Sequence, residues 1–269
     1  MRRVTTDIAK RESEWCARRR AWLKRSIAGM PEEWTMHDHD VRIGRLLTRR
    51  EALALITAGA LCASRAARSA ALACVARPQQ TEGPFFVNEH LTRSDIRSDP
   101  ASGRVSPGAP LDLAIAVAGL ARDACTPLRG ATVEVWQCDA DGRYSDVRDF
   151  GGSTVGQRFL RGNQPTDDDG VARFTTIVPG WYQGRAVHIH FRIDATTAGG
   201  APRTFTSQLY FDDAFLDRIH ARAPYAARGP RPVRNARDGL FRDGGSQLLL
   251  DVNEAGERLA ARFEVGLTV

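Results

Sequence analysis

From residue 78 onward, apolar and polar positions alternate in short runs broken by Gly, Pro and Asp, a pattern that predicts strands rather than helices. Ala131–Gln137 reads A-T-V-E-V-W-Q, a period-two run rich in β-branched residues. Ala172–Val178, Val187–Ile193, Phe205–Phe211 and Gln247–Val252 are predicted as further strands, and Leu111–Leu120 alternates or runs apolar. Helical periodicity is scarce, and the one short helix predicted covers Asp213–Arg222. About 190 residues with this spacing predict an all-β, antiparallel β-sandwich with long loops and few short helices.

Two segments look alike. Gly130–Tyr144 and Asp168–Tyr182 each place an Asp-Gly turn beside a strand and each end in Tyr. Such a pattern also occurs in non-enzymatic prealbumin-like sandwiches, so a non-catalytic binding module is one reading of 78–269.

The pattern before residue 78 is different. Residues 1–77 hold 16 Lys and Arg against 8 Asp and Glu, which leaves 22 against 24, a net of −2, in 78–269. The whole-chain charge of +6 is therefore no argument for nucleic acid as a partner of the sandwich. Residues 1–47 read as a basic N-terminal extension lying upstream of the true start, with Met30 or Met36 as initiator. A membrane-surface or nucleic-acid arm is the alternative. Residues 48–77 read as a twin-arginine-like export signal: Arg49-Arg50 precede a short apolar stretch from Ala52 to Ala63, and Ala71-Leu72-Ala73 is a small-x-small cleavage site. The expected location is periplasmic or extracellular, with an Ala-rich cytoplasmic helix as the alternative. No run of eighteen apolar residues suggests a spanning helix, and a lipid anchor at Cys74 is disfavoured because Ala71 stands where a lipobox wants Leu.

Of five cysteines, Cys16, Cys62, Cys74, Cys125 and Cys138, only the last three would survive signal removal. No C-x-x-C pair exists, which disfavours zinc-ribbon chemistry. A Cys74–Cys125 disulfide is expected if the chain is exported, with Cys138 a buried free thiol.

The candidate chemistry lies in Gly180–Arg192, G-W-Y-Q-G-R-A-V-H-I-H-F-R. On a strand His188 and His190 project to one face with Cα atoms roughly 6–7 Å apart, close enough to share a metal. The chain holds four tyrosines, Tyr144, Tyr182, Tyr210 and Tyr225, and two of them end the look-alike segments. Two phenolates with two imidazoles form a hard, anionic set better suited to a trivalent ion than to zinc. Trp136, Trp181 and Phe191 read as packing, and His90 and His220 as solvated or structural. Asp167, Asp168 and Asp169 read as a solvated turn, since the EF-hand spacing is absent.

Over roughly 78–269 the chain resembles the intradiol ring-cleavage dioxygenases, non-haem Fe(III) enzymes that cleave catechols, in their extracellular-type form. The resemblance rests on an ordered series of segments: Gln80-Thr81-Glu82-Gly83-Pro84-Phe85-Phe86; Val135-Trp136-Gln137 with Asp139–Tyr144; Phe159-Leu160-Arg161-Gly162 with Thr166-Asp167; Pro179-Gly180-Trp181-Tyr182; Arg185–Phe191; and Thr206–Phe211. It implies that Tyr144, Tyr182, His188 and His190 hold Fe(III), with Tyr182 the ligand that leaves when substrate binds. It implies that Arg185 stabilises the electron-rich ring and that Gln208 orients substrate. Arg185 lies three residues before His188, so by strand parity it points away from the iron unless the chain bends. The partners implied are an aromatic diol and O2, and the family includes homo- and hetero-oligomers. The implied product is a muconate-type dicarboxylate. The gap between Tyr182 and His188 is shorter than in the large catechol and protocatechuate enzymes, which leaves the choice among catechol, protocatechuate, hydroxyquinol and larger aryl diols open. A cupin-type metal dioxygenase also uses His-x-His, but Asp194 follows His190 here and no Glu lies within the next ten residues.

Overall fold

The computed structural model describes residues 75–268 except 122–123, 150–151, 198 and 256–257. The extension 1–47, nearly all of the signal-like segment 48–77, and Cys16, Cys62 and Cys74 lie outside the described residues.

Those residues are mostly β, with few and short helices. In chain order come β1 (Pro110–Ala121), β2 (Ala124–Pro127), β3 (Thr132–Trp136), β4 (Arg148–Asp149), β5 (Gly152–Ser153), β6 (Arg161–Pro165), β7 (Val171–Ile177), β8 (His188–Thr196) and β9 (Pro202–Tyr210). Then follow α1 (Asp213–His220), α2 (Gly239–Arg242), β10 (Val252–Ala255) and β11 (Arg258–Thr268), with three 3-10 turns among them. Asp212 caps α1 by accepting the Phe215 N–H, as a short side-chain oxygen does at a helix start.

One sheet has five strands, in the order β10-β11-β1-β2, with β7 also pairing with β1. The other has four, in the order β6-β3-β8-β9, all antiparallel. The five-stranded sheet departs from the antiparallel expectation, because β1 and β11 run parallel over ten paired residues from Leu111–Leu259 to Leu120–Thr268. Parallel neighbours need a long connection, and here residues 122–257, about half of the chain, separate the two strands.

Alternation sorts each strand's residues into a core face and an outer face. Val133 and Val135 of β3, Ile189, Phe191 and Ile193 of β8, Leu111, Leu113, Ile115 and Val117 of β1 and Phe263 and Val265 of β11 enter one apolar cluster shared by both sheets. Phe191 meets Phe263 across it at 5.8 Å. Each such side chain contributes about 1.5–3 kcal/mol by leaving water. Gln137, fully buried just after β3, ties the sheets together by donating to the Ile177 carbonyl and accepting from Thr176 Oγ1, both at 2.9 Å.

The strands predicted over Ala131–Gln137, Ala172–Val178, Val187–Ile193 and Phe205–Phe211 are present with shifted ends, as is the helix after Asp212. Gln247–Val252 is not a strand. Gly245–Leu248 forms a 3-10 turn entered through Gly244 at φ 84°, and β10 starts only at Val252. Among the described residues no helix is long and apolar enough to cross a membrane.

Candidate metal centre

The outer face of β8 carries His188 and His190, since Ile189, Phe191 and Ile193 take the core side. Both histidines are nonetheless buried, at 2% and 1% exposure. Their cover comes from neighbouring strands and from residues 80–86. The Trp136 indole, across from His190 in the sheet, stacks on its ring at 5.0 Å and 6°. Gly83 lies over the same ring, so close that a Cβ there would sit 3.3 Å from His190 Cε1.

Tyr144 and Tyr182 arrive on two abutting turns. In the first, the Asp139 carboxylate accepts the Asp141 and Arg143 N–H groups and Gly142 takes φ 77°. The second, Pro179–Tyr182, lies against it: Gly180 donates its N–H to the Asp139 carbonyl at 3.0 Å. A Cβ on Gly142 would meet the Trp181 carbonyl oxygen at 2.2 Å, and one on Gly180 would meet that of Ala140 at 2.2 Å. Only backbone without side chains fits at this crossing. Phe85 stacks on Tyr144 at 4.5 Å, and Arg161 donates to the Phe85 carbonyl and to the Ser145 carbonyl, both at 2.7 Å.

The four donor atoms converge. His188 Nε2 lies 3.0 Å from His190 Nε2, 3.2 Å from the Tyr182 hydroxyl and 3.5 Å from the Tyr144 hydroxyl. His188 Nδ1 is 2.7 Å from the Ala186 carbonyl, which can only accept, so Nδ1 carries the proton and Nε2 keeps its lone pair. His190 Nδ1 is buried without a hydrogen-bond partner, leaving Nε2, aimed at the cluster, as the ring's engaged nitrogen. Donors that share one ion at about 2 Å and at right angles stand ~3 Å apart, which is the spacing found here. Burial holds His188 down to about 3 and His190 well below the ordinary value, so both imidazoles are neutral. Burial pushes the Tyr182 phenol up to about 12 and Tyr144 well above its ordinary value. Two phenols that resist ionisation beside two neutral imidazoles need a strongly charged cation to become ligands. No group of three or more His, Cys, Asp or Glu is placed to hold a metal among the described residues, so the phenols are essential to any such site.

Arg185 lies outside β8, after a bend at Gly184 with φ 92°, and strand parity therefore does not apply to it. Its Nη2 donates to Gln208 Oε1 at 2.6 Å and to the Tyr210 hydroxyl at 3.2 Å, and its Nε donates to Asp238 Oδ2 at 2.9 Å. Burial works to raise the Asp238 carboxyl, but the Ala186 N–H and the Arg185 guanidinium outweigh it and hold it below the usual range. Gln208, fully buried and across from His190, also donates to the Thr81 carbonyl at 2.9 Å. Both ends of its amide thus bind protein groups, which fixes its place beside His190.

Asp238, Arg161, Gln80 and Tyr210 were not singled out as site residues from the sequence. Tyr210 had a signal, since it is two residues from Gln208 on one strand face. Asp238 had none, because 53 residues separate it from Arg185. Trp136 and Phe191 are buried as expected, whereas Trp181 is only partly buried and lies under the Arg228 guanidinium at 4.2 Å. His220 is structural, bonded to the Pro179 carbonyl at 3.0 Å, and His90 is exposed. Asp167 closes a turn by accepting the Asp169 and Val171 N–H groups. Cys138 is a free, buried thiol and Cys125 is disulfide-bonded; its expected partner Cys74 lies outside the described residues.

A family model described as Dioxygenase matches residues 81–227. The chain is 33% identical over 196 residues to the protocatechuate 3,4-dioxygenase beta chain of Burkholderia cepacia, covering 68% of this chain and 76% of that one. Among solved structures it is similar to an intradiol ring-cleavage dioxygenase from Tetranychus urticae, with 30% identity, TM-score 0.60, and 72% of this chain and 94% of that one covered. It is also similar to the dioxygenase domain of a dioxygenase–carbohydrate-binding protein fusion from Streptomyces sp. SirexAA-E, with 31% identity, TM-score 0.50, and 72% and 99% covered.

Proposed function

The chain belongs to the intradiol ring-cleavage dioxygenases, and we propose that it inserts both atoms of O2 into a catechol-type diol and opens the ring to a muconate-type dicarboxylate. The observation that carries this reading is the convergence of two phenol oxygens and two imidazole nitrogens around His188 Nε2. Tyr144, Tyr182, His188 and His190 would hold a non-haem Fe(III). When bound, that ion supplies Lewis-acid activation of the diol and a route for electrons between the diol and O2.

The chain's own residues do the rest. His188 presents Nε2 because the Ala186 carbonyl holds its proton on Nδ1. Tyr144 is 1% exposed, whereas Tyr182 is only partly buried, so Tyr182 is the phenol a substrate can reach. Burial favours the protonated form of the Tyr182 phenol. Once ionised by the bound ion, Tyr182 Oη would be a site that can take a proton from a diol hydroxyl. Arg185 places a fixed cation beside the site, where it opposes negative charge that grows on the ring. Residues 80–86 exclude water from the His190 side by covering its ring. The two sheets on one apolar core support the prealbumin-like sandwich reading, and Arg49-Arg50 with the apolar stretch after them supports export.

The test is the visible absorption of the iron-loaded full chain before and after catechol is added without oxygen. A tyrosinate-to-iron band that shifts with catechol, then bleaches when O2 is admitted as a muconate-type product forms, is expected. A His188→Ala, His190→Ala double variant should lose the band. A chain that stays colourless after iron loading would instead favour a non-catalytic binding module.

A further inference from the structure

Arg185 is held by a closed circuit of hydrogen bonds, and one member of it is a buried carboxylate far away in sequence. Asp238 is 1% exposed. Its Oδ1 accepts the Leu240 and Phe241 N–H groups at 2.8 and 3.2 Å, which starts α2. Its Oδ2 accepts Arg185 Nε at 2.9 Å and the Ala186 N–H at 2.7 Å. From α2 the circuit returns through Gln80, whose Nε2 donates to the Leu240 carbonyl at 2.6 Å. Gln80 Oε1 accepts the Tyr210 hydroxyl proton at 2.9 Å, and that hydroxyl accepts from Arg185 Nη2. Gln208 Oε1 takes the same Nη2 at 2.6 Å. The guanidinium also faces the Tyr182 phenol, whose ionised form it favours.

The arrangement gives the guanidinium a held edge. Nε and Nη2 are committed to Asp238, Gln208 and Tyr210, so the plane of the group is fixed. A planar, forked donor held at two of its nitrogens has one orientation left for the third. A carboxylate is required at 238 because a neutral acceptor would leave the half-buried cation without its counter-charge. The strand cannot supply the orientation itself, since Arg185 lies beyond its end after the Gly184 bend.

We infer that Asp238 is a positioning residue for Arg185, fixing its guanidinium so that the cation serves the diol's developing charge. The inference rests on the ring-cleavage reading of the site. A charge aimed from a fixed frame stabilises the transition state without reorganising, and loosening the frame forfeits that.

The experiment is a double-mutant cycle in the iron-loaded full chain, with Asp238→Asn, Arg185→Ala and both together. Two readouts are taken: kcat for catechol, and catechol affinity measured without oxygen from the shift of the visible band. Asp238→Asn is expected to keep the band, lower kcat about 10- to 100-fold and weaken catechol binding about threefold to tenfold. In the Arg185→Ala background the same substitution should change neither by more than about twofold. Asp238→Glu, which keeps the charge one methylene further out, should recover part of the loss, and it replaces Asp238→Asn in the cycle if that variant does not fold. Wild-type rates in Asp238→Asn would overturn the inference. So would an effect of equal size in the Arg185→Ala background, which is the signature of a purely structural role. Loss of the band in Asp238→Asn would also overturn it, because the aspartate would then act through Ala186 on His188. A wild-type chain that binds catechol but never cleaves it removes the proposed activity, while the binding cycle still decides the role of Asp238. A colourless wild-type chain removes both.

Discussion

Burial decides the protonation of each donor at the centre, and it does so in opposite directions. The imidazoles of His188 and His190 are neutral because water is excluded, and the phenols of Tyr144 and Tyr182 are neutral for the same reason. Metal capture by these four groups would then cost protons only at the tyrosines. His188, lowered to about 3, has nothing to release above pH 4, whereas Tyr182, raised to about 12, releases a full proton. Iron affinity should therefore rise with pH, by about two log units per pH unit between pH 5 and 8, one for each phenol. Competition against a chelator across that range measures the slope. A value near four would mean that the imidazoles are protonated in the free protein and that their burial is incomplete. The residue types were legible in the sequence: His-x-His on a strand, with two of four tyrosines ending matched turns. That Arg161 would bond the Phe85 and Ser145 carbonyls behind Tyr144 was not, because no local pattern marks a buried arginine.

At the scale of elements, the site depends on two turns that touch through backbone. Gly142 and Gly180 allow the contact, and it brings the two tyrosines to one place. Gly180 is the cleaner test, since its φ is ordinary and only the crowding against the Ala140 carbonyl opposes a side chain. Gly180→Ala should cost about 1–3 kcal/mol of stability through overpacking. It should also weaken iron binding more than about tenfold, as misplaced ligands do. Gly199→Ala, which meets only Thr197 Oγ1 at 3.9 Å, should change neither. Thermal unfolding and iron titration of the two variants decide it; equal behaviour would mean that the turn contact does not set the ligand spacing. Strands rich in Val, Ile and Thr, such as β3 and β8, were readable from period two alone. β11 was missed although Leu259, Ala261, Phe263 and Val265 alternate toward the core, because Ala, Arg and Gly dilute its β propensity. Leu248–Leu250 misled in the other direction: three consecutive leucines carry no period, and the chain forms a 3-10 turn that ends at Leu248.

For the whole molecule, the centre joins β8 of the four-stranded sheet to two loops that lead out of β3 and β7. An ion bound there would hold all three in place, and an ion that binds only the folded state raises stability by mass action, about 2.7 kcal/mol at a free concentration one hundred times Kd. Iron loading should therefore raise Tm, and the His188→Ala, His190→Ala variant should show no such rise. An unchanged Tm in the wild-type chain would mean that iron is not bound by the native state. By itself, the sequence determined the β character, the candidate ligand set and the segment order that marks the family, because alternation and residue chemistry are local properties. Only the tertiary structure decided the parallel pairing of β1 with β11, the abutment of the tyrosine turns and the Asp238–Arg185 frame. These join residues tens to more than a hundred positions apart, and what selects them is burial and pairing in three dimensions, which no local pattern encodes.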